Sequence, residues 1–189
     1  MNPQYDKTPY TIAQINFLSE VYSVIHDVWE PYDSDGVALV PSPGLVGTQY
    51  TLNIDGICNM TSGPIDLLDH CSILERATGD VVLTGLGLGI GVLFADHNPR
   101  ITSVTVVECD RRVIVAVWPL LYQALKRISP RLVVADANRW IPDQTYDFAF
   151  LDHAASARTS DEIIGLYSMF AKDIVVWRDE YEKVIKTWQ

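Results

Sequence analysis

The sequence predicts an α/β protein, a mostly parallel sheet wound with helices, preceded by a small N-terminal helix and β-hairpin. Three observations carry this expectation. From Asp80 onward, short apolar runs at 81–84, 104–107, 132–134, 148–151 and 174–177 alternate with helical or polar stretches. That alternation marks parallel strands buried on both faces and joined by right-handed crossovers. The first run leads into a glycine-rich turn, and carboxylates stand directly after the runs that follow.

The N-terminal elements read differently. Residues 11–28 (TIAQINFLSEVYSVIHDV) place Ile12, Ile15, Phe17, Leu18, Val21, Ile25 and Val28 along one helical stripe, with Thr11 as the cap. A loop rich in Pro, Asp and Gly is expected next. Residues 47–60 then form two short stretches around Asp55-Gly56, a dipeptide favoured in two-residue hairpin turns. Residues 64–76 return to helical spacing through Ile65, Leu67, Leu68 and Leu74. These elements define a region 1–78, followed by a nucleotide-binding domain 79–189. After the last strand only a terminal helix, 179–188, is expected, so that strand would be an edge needing cover from the helix or from a second subunit. A homodimer or higher homo-oligomer is the corresponding expectation.

Composition narrows the function classes. With 189 residues, 48% of them hydrophobic and 20% charged, the chain can bury a single core. No apolar run reaches the roughly 18 to 20 residues that span a bilayer, and the first thirty residues lack a basic segment followed by an apolar one. The expectation is a soluble, cytoplasmic protein with no membrane partner. Cys58, Cys71 and Cys109 are odd in number and lack C-x-x-C spacing, which fits reduced thiols and no structural metal. The net charge of -10 argues against nucleic acid, whose binding draws on Lys and Arg displacing counterions. The same charge suits a cationic small molecule such as an amine.

In a sheet of this kind ligands sit beyond the carboxyl ends of the strands, near the point where strand order reverses. Gly85-Leu-Gly87-Leu-Gly89-Ile-Gly91 follows the first strand and opens a helix. Glycine there tolerates positive φ and lets the backbone pass close to a ligand, while the helix start offers unpaired N–H groups to an anion. About twenty residues further on, Val106-Val-Glu108-Cys109-Asp110 ends the second strand, and an acid at that distance can accept both ribose hydroxyls. Glu108 is the candidate for that role, with Asp110 capping the next helix. After the third strand, Asp136 can accept from an adenine amino group beside a small Ala137. After the fourth stand Asp152 and His153, a carboxylate and an imidazole at the mouth of the same crevice. Together these features predict a Rossmann-like nucleotide site.

These segments resemble a known family, the polyamine aminopropyltransferases (spermidine synthase-like proteins), within the class I S-adenosylmethionine-dependent methyltransferase superfamily. The resemblance runs from about Tyr50 to His153. It rests on Leu52-Asn-Ile-Asp55-Gly56, similar to an L-x-x-D-G hairpin, on His70 in the following helix, on Val107-Glu108-Cys109-Asp110 with Val113-Ile114, and on Asp136-Ala137 followed by Tyr146-Asp147. It implies a class I methyltransferase fold, here expected to lack the C-terminal hairpin of strands six and seven. It also implies S-adenosylmethionine, or its decarboxylated form or methylthioadenosine, as the bound nucleoside. Gly85, Gly87 and Gly89 would form the nucleotide loop, Glu108 and Cys109 the ribose side, Asp136 and Ala137 the adenine side.

Two departures from the family pattern bear on the reaction. The family loop G-G-G-D-G-G has an Asp where this chain has Leu88, and the D-S-x-D after strand four becomes Asp152-His153-Ala154-Ala155. The groups that hold the aminopropyl donor and deprotonate the amine are therefore absent. Methyl transfer to a small molecule, with Asp152 or His153 as base, is the expected reaction; aminopropyl transfer to a polyamine, or nucleoside binding without catalysis, is the alternative. Phe150-Leu-Asp152-His153 is also similar to catechol-type O-methyltransferases, where the Asp binds magnesium, and Asp179 and Glu180 would complete such a site.

Overall fold

A computed structural model describes residues 12–44, 47–152 and 160–176. The chain opens with α1 (Ile12–Val28) and a four-stranded antiparallel sheet: β1 (Tyr32–Ser34), β2 (Val37–Pro43), β3 (Thr48–Ile54) and β4 (Ile57–Thr61), in that order. The loop expected before residue 47 is thus largely a second hairpin. Its turn, Asp35-Gly36, repeats the chemistry of Asp55-Gly56, and all four residues have positive φ (53° and 78°, 51° and 79°). That is the backbone of a type I′ turn, whose twist matches the flanking strands. Pro41 and Pro43 disguised β2 as a loop. β1 begins at Tyr32 opposite Leu39, so β2 beyond Leu39 has one unpaired side, where a residue without an N–H is tolerated. The Asp55 amide donates to the Gly36 carbonyl at 2.7 Å, tying the two turns together.

Helix α1 packs its Val21 and Ile25, with Trp29 just past its end, into a core shared with Leu39, Tyr50 and Leu52 of the sheet. Ile15, expected on the packing stripe, is half exposed, so packing begins further along at Leu18. Thr11 lies outside the described residues. Helix α2 (Pro64–Leu74) follows, with Pro64 in its first turn, where the missing N–H costs nothing.

The second sheet contains β5 (Gly79–Thr84), β6 (Ile101–Glu108), β7 (Arg131–Val134), β8 (Tyr146–Leu151) and β9 (Ala171–Val176), all parallel, in the order β7-β6-β5-β8-β9. Each predicted strand is present, except that Trp177 lies outside the described residues. Along β5 the side chains alternate between two cores: Val81 and Leu83 face the helices α3 (Ile90–His97) and α4 (Arg111–Ala124), and Val82 faces α5 (Ser160–Tyr167) with Val107, Ala149 and Tyr167. Burial on both faces explains why these strands read as unbroken apolar runs. The order reverses at β5, which places the crevice at the carboxyl ends of β5, β6 and β8. Within the described residues β9 is an edge; the expected terminal helix 179–188 lies outside them.

One polar lock closes the side of this domain. The buried carboxylate of Asp96 at the end of α3 accepts the amides of Lys126 (3.0 Å), Arg127 (2.8 Å) and Ile128 (2.7 Å). In return the Arg127 guanidinium donates to the carbonyls of Ala95, Asp96, Asn98 and Ile101. Carbonyls left over at the end of α3 are thus satisfied by the segment leading into β7. All three cysteines are free thiols, Cys71 buried and the others exposed. No described helix is long and apolar enough to cross a membrane.

Candidate functional site

Strand β5 runs into the glycine turn, where Gly85, Gly87 and Gly89 all have positive φ (87°, 50° and 77°). Two of them are also pinned by neighbours. A Cβ on Gly87 would stand 2.5 Å from the Met60 sulfur, and one on Gly89, which caps α3, would stand 3.1 Å from Leu121. Met60 belongs to β4, so the N-terminal hairpin lies directly over the loop. Its thioether accepts the Leu88 amide at 3.3 Å. The Leu88 side chain is fully buried in the core.

The Glu108 carboxylate, at the end of β6, spans the loop. One oxygen accepts the Leu86 amide at 2.8 Å and the other accepts the Asp110 amide at 2.7 Å. A carboxylate has about four lone-pair sites, so after these two amides and the neighbouring Cys109 thiol the group keeps capacity for a ligand. Asp110 caps α4 by accepting the Arg112 amide at 2.9 Å, and the Arg112 side chain then bridges Asp110 to Asp55 in the hairpin turn. The Arg112 guanidinium holds the Asp110 carboxyl below its usual range. The Cys109 thiol lies near Glu108 and Asp136; partial burial and those two carboxylates keep it protonated to higher pH than a free thiol.

Asp136 begins a turn beyond β7. Its carboxylate accepts the backbone and side-chain N–H of Asn138 (2.9 and 3.1 Å) and lies 3.6 Å from the Arg139 guanidinium. The group is exposed, and a ligand would reach it only by sharing these contacts. Ala137 is buried, and its carbonyl accepts the Tyr167 hydroxyl at 3.1 Å. It belongs to the core under α5, where a larger side chain would collide.

Asp152 follows β8, its amide bonded to the Thr84 carbonyl at 3.1 Å. This joins the ends of β5 and β8 and holds Asp152 beside the glycine turn. Its Oδ2 lies 2.9 Å from Nε2 of His70, which α2 delivers from 82 residues upstream. Nδ1 of His70 donates to the Asp66 carbonyl at 2.7 Å, and the ring meets Phe150 edge-on at 5.4 Å. A small pocket is lined here by His70, Thr84, Gly85, Leu86, Gly91 and Asp152. His153, expected as the imidazole of the site, lies outside the described residues, as do Asp179 and Glu180. In the sequence His70 figures only in the family resemblance, and nothing in its spacing signals a partner so distant in the chain. Among the described residues no three His, Cys, Asp or Glu side chains come together as a metal site.

No family model matches the chain, and no curated protein matches it in sequence. Solved structures do match in shape. A spermidine synthase from Thermotoga maritima overlaps 76% of this chain and 52% of its own, at 18% identity and a TM-score of 0.52. A spermidine synthase in complex with the transition state analogue AdoDATO overlaps 76% of this chain and 54% of its own, at 17% identity and a TM-score of 0.54. This chain therefore spans about half the length of each. At such identities the likeness is one of fold, and with the β7-β6-β5-β8-β9 order it shows that the chain has a Rossmann-like α/β fold.

Proposed function

We propose that the crevice binds S-adenosylmethionine or a close analogue, and that the protein is a transferase passing the methyl group to a small-molecule acceptor, amines among them. The observation that carries this reading is the meeting of the Glu108 carboxylate with the glycine turn where strand order reverses, and with Asp152 on the other side of the turn. The residues present fit a nucleoside. Glu108 would offer a lone pair to the ribose hydroxyls, with Cys109 beside it; Asp136 would take the adenine side, Ala137 being buried beneath it in the core, and Gly85, Gly87 and Gly89 let the backbone approach. When bound, the sulfonium supplies an activated methyl group, so the protein needs to align the acceptor and remove one proton. Either Asp152 or His153 would serve as that base, and His153 would take the task where Asp152 is held by a cation.

Leu88 favours this reading over aminopropyl transfer, because a buried leucine replaces the Asp that would help hold an aminopropyl donor. A non-catalytic reading is favoured by one observation, the Met60 thioether lying over Gly87 and taking the Leu88 amide. Calorimetry with S-adenosylmethionine, its decarboxylated form and methylthioadenosine separates these possibilities. A transferase binds donor and product, whereas a relic crevice binds none or only the adenosine part. In an assay with decarboxylated adenosylmethionine and putrescine, little or no spermidine is expected; robust formation would refute the preference for methyl transfer.

We also propose self-association. The edge strand β9 and the exposed Val115, Tyr122, Ile141 and Met169 give apolar surface for a second copy. Light scattering should report a dimer or larger at working concentrations, and a monomer throughout would rule this out.

A further inference from the structure

The His70–Asp152 contact is more than packing. The Asp66 carbonyl can only accept, so Nδ1 of His70 carries a hydrogen, and the 2.9 Å approach of Nε2 to Asp152 needs one more proton between them. His70 is 3% exposed while the Asp152 carboxylate is 25% exposed, so the imidazole lies behind the carboxylate and the carboxylate fronts the pocket. Among the described residues the titratable groups around the ring are Asp152 beyond β8 and Asp66 and Asp69 on its own helix. From α3 it meets Gly91, which carries no charge. Burial alone would lower the His70 pKa, but the hydrogen bond and charge of Asp152, with Asp66, outweigh it and raise the pKa above the ordinary value. The geometry thus holds one proton between Nε2 and Oδ2, and the upward direction at His70 favours its lying on the ring.

We propose that His70 is a positioning residue of the ligand site: it serves as the resident counter-ion of Asp152, and a cationic group on the tail of the bound nucleoside replaces it there. This inference rests on the nucleoside reading given above. Two cations cannot share one partly buried carboxylate without strong mutual repulsion. As the ligand's cation arrives, the Nε2 proton leaves to solvent and Asp152 remains a carboxylate; no bond to carbon is made or broken. The bare Nε2 lone pair then repels Oδ2, which turns the carboxylate toward the ligand.

Binding of such a cation must therefore strengthen with pH, and the test is calorimetry between about pH 6 and 8.5, around the range in which histidine titrates. Decarboxylated adenosylmethionine is the charged probe, since a lysine-like primary ammonium, with a pKa near about 10, stays charged across that range. Methylthioadenosine is the uncharged one. For the wild type, affinity for the charged probe should rise about three- to tenfold per pH unit below the His70 pKa and then level off. Buffers of different ionisation enthalpy should show proton release on binding. Methylthioadenosine should show neither effect. His70→Gln keeps an amide donor beside Asp152 but nothing to titrate, so the charged probe should lose its pH slope and its proton release while methylthioadenosine binds as before. Should that variant fail to fold, Asp152→Asn breaks the pair from its exposed side and must abolish the same two signals. The inference is overturned if methylthioadenosine binds but the charged probe does not bind or shows no pH linkage, or if the linkage survives either variant. If neither nucleoside binds the wild type, the reading of the crevice itself fails and this inference with it.

Discussion

Replacing Glu108 with alanine is expected to weaken adenosine-nucleoside binding by about 3 kcal/mol, or roughly 150-fold, as befits the loss of charge-assisted hydrogen bonds to ribose. The structure adds a second source of loss. Glu108 also holds the Leu86 and Asp110 amides, so its removal frees the loop that the nucleoside must lie against. Glu108→Gln separates the two contributions, because its single carbonyl oxygen still accepts one amide while the charge is gone. Asp110→Ala is the comparator: it removes the cap of α4 and the Arg112 bridge, so it should lower stability more than affinity. Asp136→Asn should cost less than Glu108→Ala, since an amide oxygen can still accept from adenine. Equal binding by the Glu108 and Asp110 variants in calorimetry would remove Glu108 from the ribose role.

The largest effect on stability is expected at Asp96. Asp96→Ala strips three hydrogen bonds from a buried carboxylate and leaves the amides of Lys126, Arg127 and Ile128 without their acceptor. A net loss of about 3 kcal/mol or more follows, which in a chain of this size lowers the melting temperature by roughly 6 to 12 °C. Asp96→Asn retains one carbonyl and should fall between. Thermal unfolding followed by circular dichroism checks this, and a melting temperature for Asp96→Ala close to that of the wild type would show that water replaces the lock at little cost. Affinity for nucleosides should change little in Asp96→Asn, because the lock lies on the flank of α3 and away from the crevice.

What could be read from the chain alone depended on the range of the interaction that made it. The parallel strands were legible because burial on both faces leaves unbroken apolar runs, and the glycine turn because positive φ is a local demand. The role of Asp110 as a cap was legible for the same reason, since the cap and the amide it serves are two residues apart. Pro41 and Pro43 concealed β2, whose tolerance for them comes from a neighbouring strand that stops short, a fact of pairing and not of composition. The exposure of Ile15 likewise reflects where α1 meets its partners. Met60 over Gly87 and His70 beside Asp152 are contacts between elements far apart in the chain, and no periodicity announces them. In both cases the residue reaching the crevice comes from the region ahead of β5, so the part of the site least visible in the sequence is supplied by the N-terminal elements.

The strand order of the second sheet also sets a timetable. The N-terminal strands pair only with their immediate neighbours in sequence, β1 with β2 and β3 with β4 through two-residue turns, and contacts so local form on the microsecond scale. Strand β5 is in a different position. It finds β6 soon, but its other side belongs to β8, which is synthesised after β6, α4 and β7. Throughout that interval β5, whose Val81, Val82, Leu83 and Thr84 are all buried in the finished fold, presents a row of unpaired backbone groups on one side. At that stage the nascent chain has a finished small sheet and an unfinished large one, and it is the stage at which a chaperone, or a misplaced copy of the same strand, would find it.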